Sequence, residues 1–368
     1  MTISIVSPLI IENLMSKIFY SRNRQPLIIF CKAGNMSKTR NIIRINFILM
    51  LAIGTMLGCR GDKASNPAAD TVSLRATFAI PGSANAVQVV GDYAYIAAGY
   101  DGGLQIVDIS NLDSMSIVGS YNTPGNALDL VVAGEYAYIA DDESGLQIVN
   151  ISEPTTPSLT GQATTPDRAI SVCLHGNYAY VADRDSGLYI IDITTPSSLS
   201  NAGSYSTADQ AFGVFVAGNY VIGDFAYVAA DYSGLAIVDL DNIDELALAG
   251  IYDTPGRALD VFVRDNYAFV ADYTSGLQII DISVPDEPES MGSYDTPNQA
   301  FGIMVDGNYA YIADYNSGIQ ILDISDPSYP RLAGYYDTSG HAQDIYVAAD
   351  YVYVADGEGG LLILEFAP

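Results

Sequence analysis

The chain has 368 residues, 49% of them hydrophobic and only 16% charged, with no Trp, 27 Tyr and a formal charge of −28. Seven of its 15 Lys and Arg fall in residues 1–59 beside a single acid, Glu12, so the other 8 bases face 42 acids, a formal charge near −34. A surface of that sign repels phosphate backbones, which argues against nucleic-acid binding; its plain role is solubility, and a monomer is expected.

The first organised segment begins at Met36. A basic stretch (Lys38, Arg40, Arg44) precedes an apolar run from Ile45 to Leu57, and Gly58-Cys59 follows. That order of regions is a secretory signal peptide, and about thirteen apolar residues are short for a membrane-spanning helix. The ending resembles a bacterial lipobox, with Met56 where the pattern prefers Leu. The resemblance implies that Cys59 is diacylated and becomes the mature N-terminus. Arg60 is not the Asp that, by resemblance to Gram-negative lipoproteins, favours inner-membrane retention. An exported, lipid-anchored envelope protein is expected, in the outer membrane if the cell has one. Residues 1–35 then read as an upstream extension with Met36 the true start, residues 36–58 as the signal peptide, and 59–73 as the lipidated cysteine with a small, polar tether. Cys173 is left alone in the mature chain. It aligns with Val131 of the preceding repeat inside an apolar strand and reads as a core residue.

From residue 74 onward the chain repeats itself. A tetrad of the form Gly-Leu-x-Ile (Gly-Ile-Gln-Ile in the sixth copy) has its glycine at 103, 145, 187, 234, 276, 318 and 360, spaced 42, 42, 47, 42, 42 and 42 residues apart. A period in the forties filled with short β-rich segments predicts an all-β, seven-bladed β-propeller of four-stranded antiparallel blades. Repeat five shows the unit, whose strands run a to d from the axis outward. Strand a lies within Arg257–Val263, b is Tyr267–Ala271, c is Leu277–Ile282 and d is Glu289–Tyr294, each bounded by Gly, Pro, Asn or Asp. The a–b turns carry Gly-Asn or Gly-Asp, as at Gly176-Asn177 and Gly307-Asn308. Repeat four holds a second copy of this turn around Gly218 and Gly223, which should lengthen one hairpin and account for the spacing of 47. The last repeat stops at Leu361–Glu365, a c strand without a d strand, whereas Leu74–Ala79 is a d-like strand without a blade. The N-terminal strand, about 74–79, is therefore predicted to close the last blade, leaving no open seam.

The c strands Leu104-Gln-Ile-Val-Asp108 and Leu235-Ala-Ile-Val-Asp239 resemble the consensus of the LVIVD-repeat family. The resemblance covers about residues 74–368 and implies an exported, often surface-attached β-propeller. It implies no single activity and no catalytic residue.

In this topology the d–a and b–c loops share one face of the propeller, and the a–b and c–d turns share the other. Asp stands four residues before the repeat glycine in five b–c loops (Asp141, Asp183, Asp272, Asp314, Asp356), with Gly99 and Ala230 breaking the series. Carboxylates spread one per blade do not gather six oxygens on one calcium ion, so these read as Asx-type turns that satisfy their own backbone. Two columns vary. One holds Ser83, Asn126, Arg168, Gln210, Arg257, Gln299 and His341; the other, three residues on, holds Ala86, Asp129, Ser171, Gly213, Asp260, Gly302 and Asp344. Polar variation on a repeated scaffold is what a binding site looks like, and Tyr100, Tyr232, Tyr273 and Tyr315 in the b–c loops add amphipathic contact surface.

Catalysis has little to stand on. The only histidines, His175 and His341, fall on opposite faces, and no zinc-binding cluster, activated nucleophile or phosphate loop is present. The expected function is a non-catalytic binding propeller for an envelope protein or glycan, touching the membrane only through its lipid and needing no cofactor or metal. Its candidate ligand-binding residues are Asn126, Arg168, Gln210, Arg257, Gln299, His341, Asp129, Asp260, Asp344, Tyr100, Tyr273 and Tyr315. The alternatives are a hydrolase or lyase acting on an envelope polymer around Asp129, Asp260, His341 and Asp344, and, more weakly, Ca²⁺ held at the axis by those carboxylates.

Overall fold

The structure, a computed structural model, describes residues 71–219 and 223–368. The expected extension, signal peptide and lipidated Cys59 lie outside the described residues. Seven four-stranded antiparallel sheets form a seven-bladed propeller. Six blades use consecutive strands. In the seventh, strands a (Asp344–Ala348), b (Tyr351–Ala355) and c (Leu361–Phe366) are completed by Val72–Phe78 as strand d. This closing strand takes in Val72 and Ser73, which the sequence pattern gives to the tether. It pairs from Val72 with Phe366 to Phe78 with Leu361.

The core lies between blades rather than within them. Strand b of blade 1, Tyr93–Ala97, sends Ala94 and Ile96 towards blade 7 and Tyr95 and Ala97 towards blade 2. Both faces of strands b and c are thus buried, which is why they read as nearly continuous apolar runs instead of alternating ones. Strand d, outermost, shows mostly exposed or half-buried residues, as in Glu289–Tyr294. Each of the seven apolar clusters spans two neighbouring blades, so no blade has a core of its own.

Two features of the repeat have direct physical causes. The repeat glycine must turn the chain from the b–c loop into strand c in left-handed geometry, with φ of +66° at Gly276. A Cβ there would sit 2.3 Å from the Tyr294 carbonyl oxygen and 2.5 Å from the Thr296 nitrogen. The double turn of repeat four lengthens its hairpin as expected: strands a (Gly213–Asn219) and b (Gly223–Ala229) have seven residues each, against five in most other blades.

Gly307, in an a–b turn, has φ of +52° with open space where its Cβ would lie. Gly307→Ala should therefore cost only about 1 kcal/mol, the left-handed backbone penalty. Gly276→Ala adds a clash with backbone and should cost at least about 2 kcal/mol more. Chemical denaturation of the two variants checks this; equal losses would remove the packing argument.

Candidate functional site: the axial cavity

The seven strands a stand round the axis, each paired with its own strand b alone. The N–H groups of their second and fourth residues turn towards the axis and need acceptors there. At six of the seven interfaces a side chain of the neighbouring blade takes one of them, and Asp129 and Asp260 also accept from Leu130 and Val261 N–H in their own strands. Asp129 accepts from Val172 N–H (2.9 Å) and the Ser171 hydroxyl (2.8 Å), Asp260 from Ile303 N–H (2.9 Å), and Asp344 from Val87 N–H (3.0 Å). One tier further along, Gln88 Oε1 accepts from Val132 N–H (2.6 Å), Met304 Sδ from Val347 N–H (3.1 Å), and Cys173 Sγ from Val216 N–H. The interface between blades 4 and 5 has the Phe215–Phe262 ring pair instead, with centroids 4.9 Å apart.

This corrects the reading of one candidate column. Asp129, Asp260 and Asp344 do ring the axis and line the cavity there, but each carboxylate is turned to a neighbouring blade's backbone. Their alternation with small residues is packing: a Cβ on Gly213 would lie 2.8 Å from Asp260 Cα, and one on Gly302 would lie 3.1 Å from Asp344 Cα. Among the described residues no group of three or more His, Cys, Asp or Glu is arranged to hold a metal ion.

The b–c aspartates are also scaffold, by a different route from the expected self-satisfying turn. Asp272, fully buried, accepts from the Thr254 hydroxyl (2.7 Å) and Gly256 N–H (2.8 Å), sixteen to eighteen residues earlier. Asp356 does the same with Thr338 and Gly340, and Asp141 takes Gly125 N–H. These carboxylates clamp the d–a loop that precedes their own blade. Blade 1 has a longer b–c loop, with a helical turn over Gly99–Gly102, so Ala98 rather than Gly99 stands in for the aspartate.

The residue after this position, Asp142, Arg184, Asp231, Tyr273 or Tyr315, takes positive φ and forms a β-bridge with a fully buried alanine of the next d–a loop. Gly99 with Ala127 and Gly357 with Ala84 complete this ring of seven bridges. The bridges fix both loops at the mouth of a cavity of about 540 Å³. Its wall is the residue following each buried alanine: Asn85, Leu128, Ile170, Phe212, Leu259, Phe301 and Gln343. The wall is two-sided. Blades 2 to 6 give five apolar side chains, whereas Gln343 and Asn85 form an amide pair, Gln343 Nε2 donating to Asn85 Oδ1 (3.2 Å).

Of the expected binding residues, Arg168, Gln210, Arg257, Tyr273 and the three axial aspartates line this cavity. Tyr315 and His341 stand beside it: Tyr315 stacks on the wall residue Phe301 (4.8 Å) and His341 on Tyr315 (4.5 Å). Asn126, Gln299 and Tyr100 do not line it. Tyr100 is exposed and donates its hydroxyl to Asp142 (3.0 Å). No hydrogen bond or ion pair joins His341 to Asp344 among the described residues, so the structure does not assemble that acid–base pair. His175 is on strand a of blade 3, near its a–b turn and 3.5 Å from Asp224.

The wall column and Arg184 escaped the sequence reading. Arg184 stands three residues before its repeat glycine, in register with Tyr273 and Tyr315, and that register was the available signal. The wall column mixes Leu, Ile and Phe with amides and reads as ordinary strand entry.

Two of the lining arginines are neutralised. Arg168 makes a two-pronged pair with Asp142, and Arg257 pairs with Asp231 (2.5 Å) while packing over Tyr232, Tyr273 and Phe212. Burial works to raise the Asp142 carboxyl, yet its bonds from Arg168 and Tyr100 outweigh that and hold it below the usual range. The axial acids go the other way. Burial pushes Asp260 up to about 7, and burial with the nearby charge of Asp129 drives Asp344 well above the ordinary value.

A β-propeller whose repeat builds the scaffold, with an axial cavity at one end, is the class these observations define. The LVIVD repeat model matches residues 81–123, 124–165, 167–207, 210–254, 255–296, 298–338 and 339–365, and the chain belongs to that family. Solved structures with similar folds have little sequence in common with it. The Cps50 (Swd1) propeller domain of Myceliophteria thermophila is 11% identical, with 80% of this chain and 100% of that one covered at a TM-score of 0.64. Saccharomyces cerevisiae Sqt1 is 10% identical (80% and 99%, TM-score 0.60), and the computationally designed Ika8 protein 8% identical (79% and 98%, TM-score 0.57). No curated protein matches the chain.

The raised carboxyl of Asp260 has a sign that can be measured. Its folded pKa of about 7 lies above the unfolded value of about 3.9, so the folded state binds the extra proton between them. Its contribution therefore falls as pH rises through that window, by at most about 1.4 kcal/mol per pH unit. Asp260→Asn removes this group from the titration. Melting curves from pH 5 to 8 should show the wild type losing stability relative to the variant as pH rises, and parallel profiles would contradict the assignment.

Proposed function

We propose that this protein is a non-catalytic binding propeller of the cell envelope, exported and lipid-anchored through Cys59, which holds a protein or glycan ligand at its axial cavity. One observation carries the binding reading. Arg75, Arg168, Arg184, Arg257, Arg264 and Arg331 are the only basic residues after position 70 apart from the histidines, and three of them line this one cavity. In so acidic a chain, cations gathered beside aromatic and amide side chains favour recognition of a ligand. Lipid anchoring and envelope location rest on the residue order from Met36 to Cys59. A hydrolytic role through Asp129, Asp260, His341 and Asp344 has weaker support, because the three acids are occupied by backbone N–H groups and His341 stacks on Tyr315.

The reading is tested by capture from envelope extracts with the full chain, compared with Phe212→Ala/Arg257→Ala of the same net fold by circular dichroism. A protein or glycan retained by the wild type and reduced at least about tenfold by the variant is expected, since the variant removes a half-buried aromatic and the cation packed over it. Equal retention by both would remove the cavity from the function.

A further inference from the structure

Arg184 differs from the other cations of the cavity. Its Nε is buried without a hydrogen-bond partner, and among the described residues no carboxylate forms an ion pair with it. Asp142 is near enough for Arg184 to influence its ionisation, but both Asp142 oxygens are already taken by Arg168 and Tyr100. The backbone of Arg184 is fixed by its bridge to Ala211 and stands at a φ of +33°, a conformation seldom kept by a non-glycine residue without support. That bridge sets it beside Phe212, with Ile170 and Leu259 further round the wall.

A guanidinium on a fixed backbone, in no ion pair among the described residues and lining a cavity with an apolar wall, is half of a recognition pair. We propose that the cavity takes a carboxylate attached to an apolar or aromatic body, the carboxylate meeting Arg184 and the body lying on Ile170, Phe212 and Leu259. The proposal rests on the reading of this cavity as a binding site and names its ligand chemistry. The Arg fork matches a carboxylate in two-pronged geometry. A doubly charged phosphate fits less well, because Arg184 supplies one positive charge while Arg168 and Arg257 are already paired with Asp142 and Asp231. A sugar ring, with hydroxyls on every edge, would leave polar groups unpaired against the five apolar wall residues. Two sources share the favoured chemistry: a free organic acid, and the C-terminal residue of a polypeptide.

Calorimetric titration of the full chain distinguishes them. The probes are N-acetyl-phenylalanine, its C-terminal amide, 3-phenylpropanoate and glucuronate. The acid should bind at least about tenfold more tightly than its amide, the difference made by a charge-assisted hydrogen bond. Arg184→Gln, with Arg184→Lys as a second variant should the first fail to fold, should bring acid and amide closer together, and the lysine should retain part of the preference. Binding of N-acetyl-phenylalanine above 3-phenylpropanoate supports the polypeptide source, and the reverse order the free acid. Equal binding of acid and amide, a preference for glucuronate, or no binding of any probe would overturn the proposal. An envelope ligand captured through Phe212 and Arg257 would still stand in the last two cases, so failure here and failure of the binding module are separable.

Discussion

The structure depends on how it treats the inner edge of seven strands. Each strand a is paired on one side only, and its other side faces the axis, where a buried N–H left unpaired costs about 1–3 kcal/mol. Closing the ring leaves no radial seam between blades, but each of the seven sheets keeps this inner edge. Six of the seven interfaces meet it with a side-chain acceptor from the neighbouring blade: an aspartate at three, an amide, a thioether and a thiol at the others. The seventh substitutes a pair of phenylalanine rings. No residue type is required, only an acceptor of the right reach, so copies that agree elsewhere diverge here.

The same solution shapes the cavity above it. Carboxylates engaged with backbone are held where burial disfavours their charge, which makes them a polar floor whose acids are shifted upward. The wall begins one residue earlier in each blade, at residues that follow the ring of buried alanines. Above the wall stand five non-glycine residues at positive φ, and they differ from blade to blade. Floor, wall and mouth are thus set by different constraints: hydrogen-bond satisfaction, packing against alanine, and bridge geometry. Only the last two leave the side chain free to be chosen for a ligand.

The period and the two incomplete ends made the architecture legible, because each follows from strand length and closure alone. The candidate site was legible in part. The column of Arg168, Gln210 and Arg257 was found as variation among copies, and it does line the cavity. Variation proved ambiguous at Asp129, Asp260 and Asp344, where it records alternating acceptors and small neighbours instead of ligand contacts. Phe212 and Phe301 went unseen for the opposite reason: an apolar residue at the head of a strand is what a strand calls for, and only the curvature of the ring turns that side chain towards open space. Pairing of carboxylates with loops sixteen residues away is likewise a tertiary fact, which no spacing within the b–c turn reveals.

The closing strand gives the ring a mechanical character. Thr71 and Ala367 meet at one end of the last sheet, Ala367 N–H donating to the Thr71 carbonyl (2.9 Å), so the two ends of the described propeller leave it side by side. Tension arriving through residue 71 meets the sheet first at the pair Val72 and Phe366, and a pull directed across the strand would open the ladder one pair at a time. What resists it is local: the Thr71 hydroxyl donates to the Ala333 carbonyl (2.9 Å), and Val72 is seated where Gly334 leaves no side chain in the way. The blade that completes the ring is also its zip fastener, and the catch lies in strand d of the neighbouring blade.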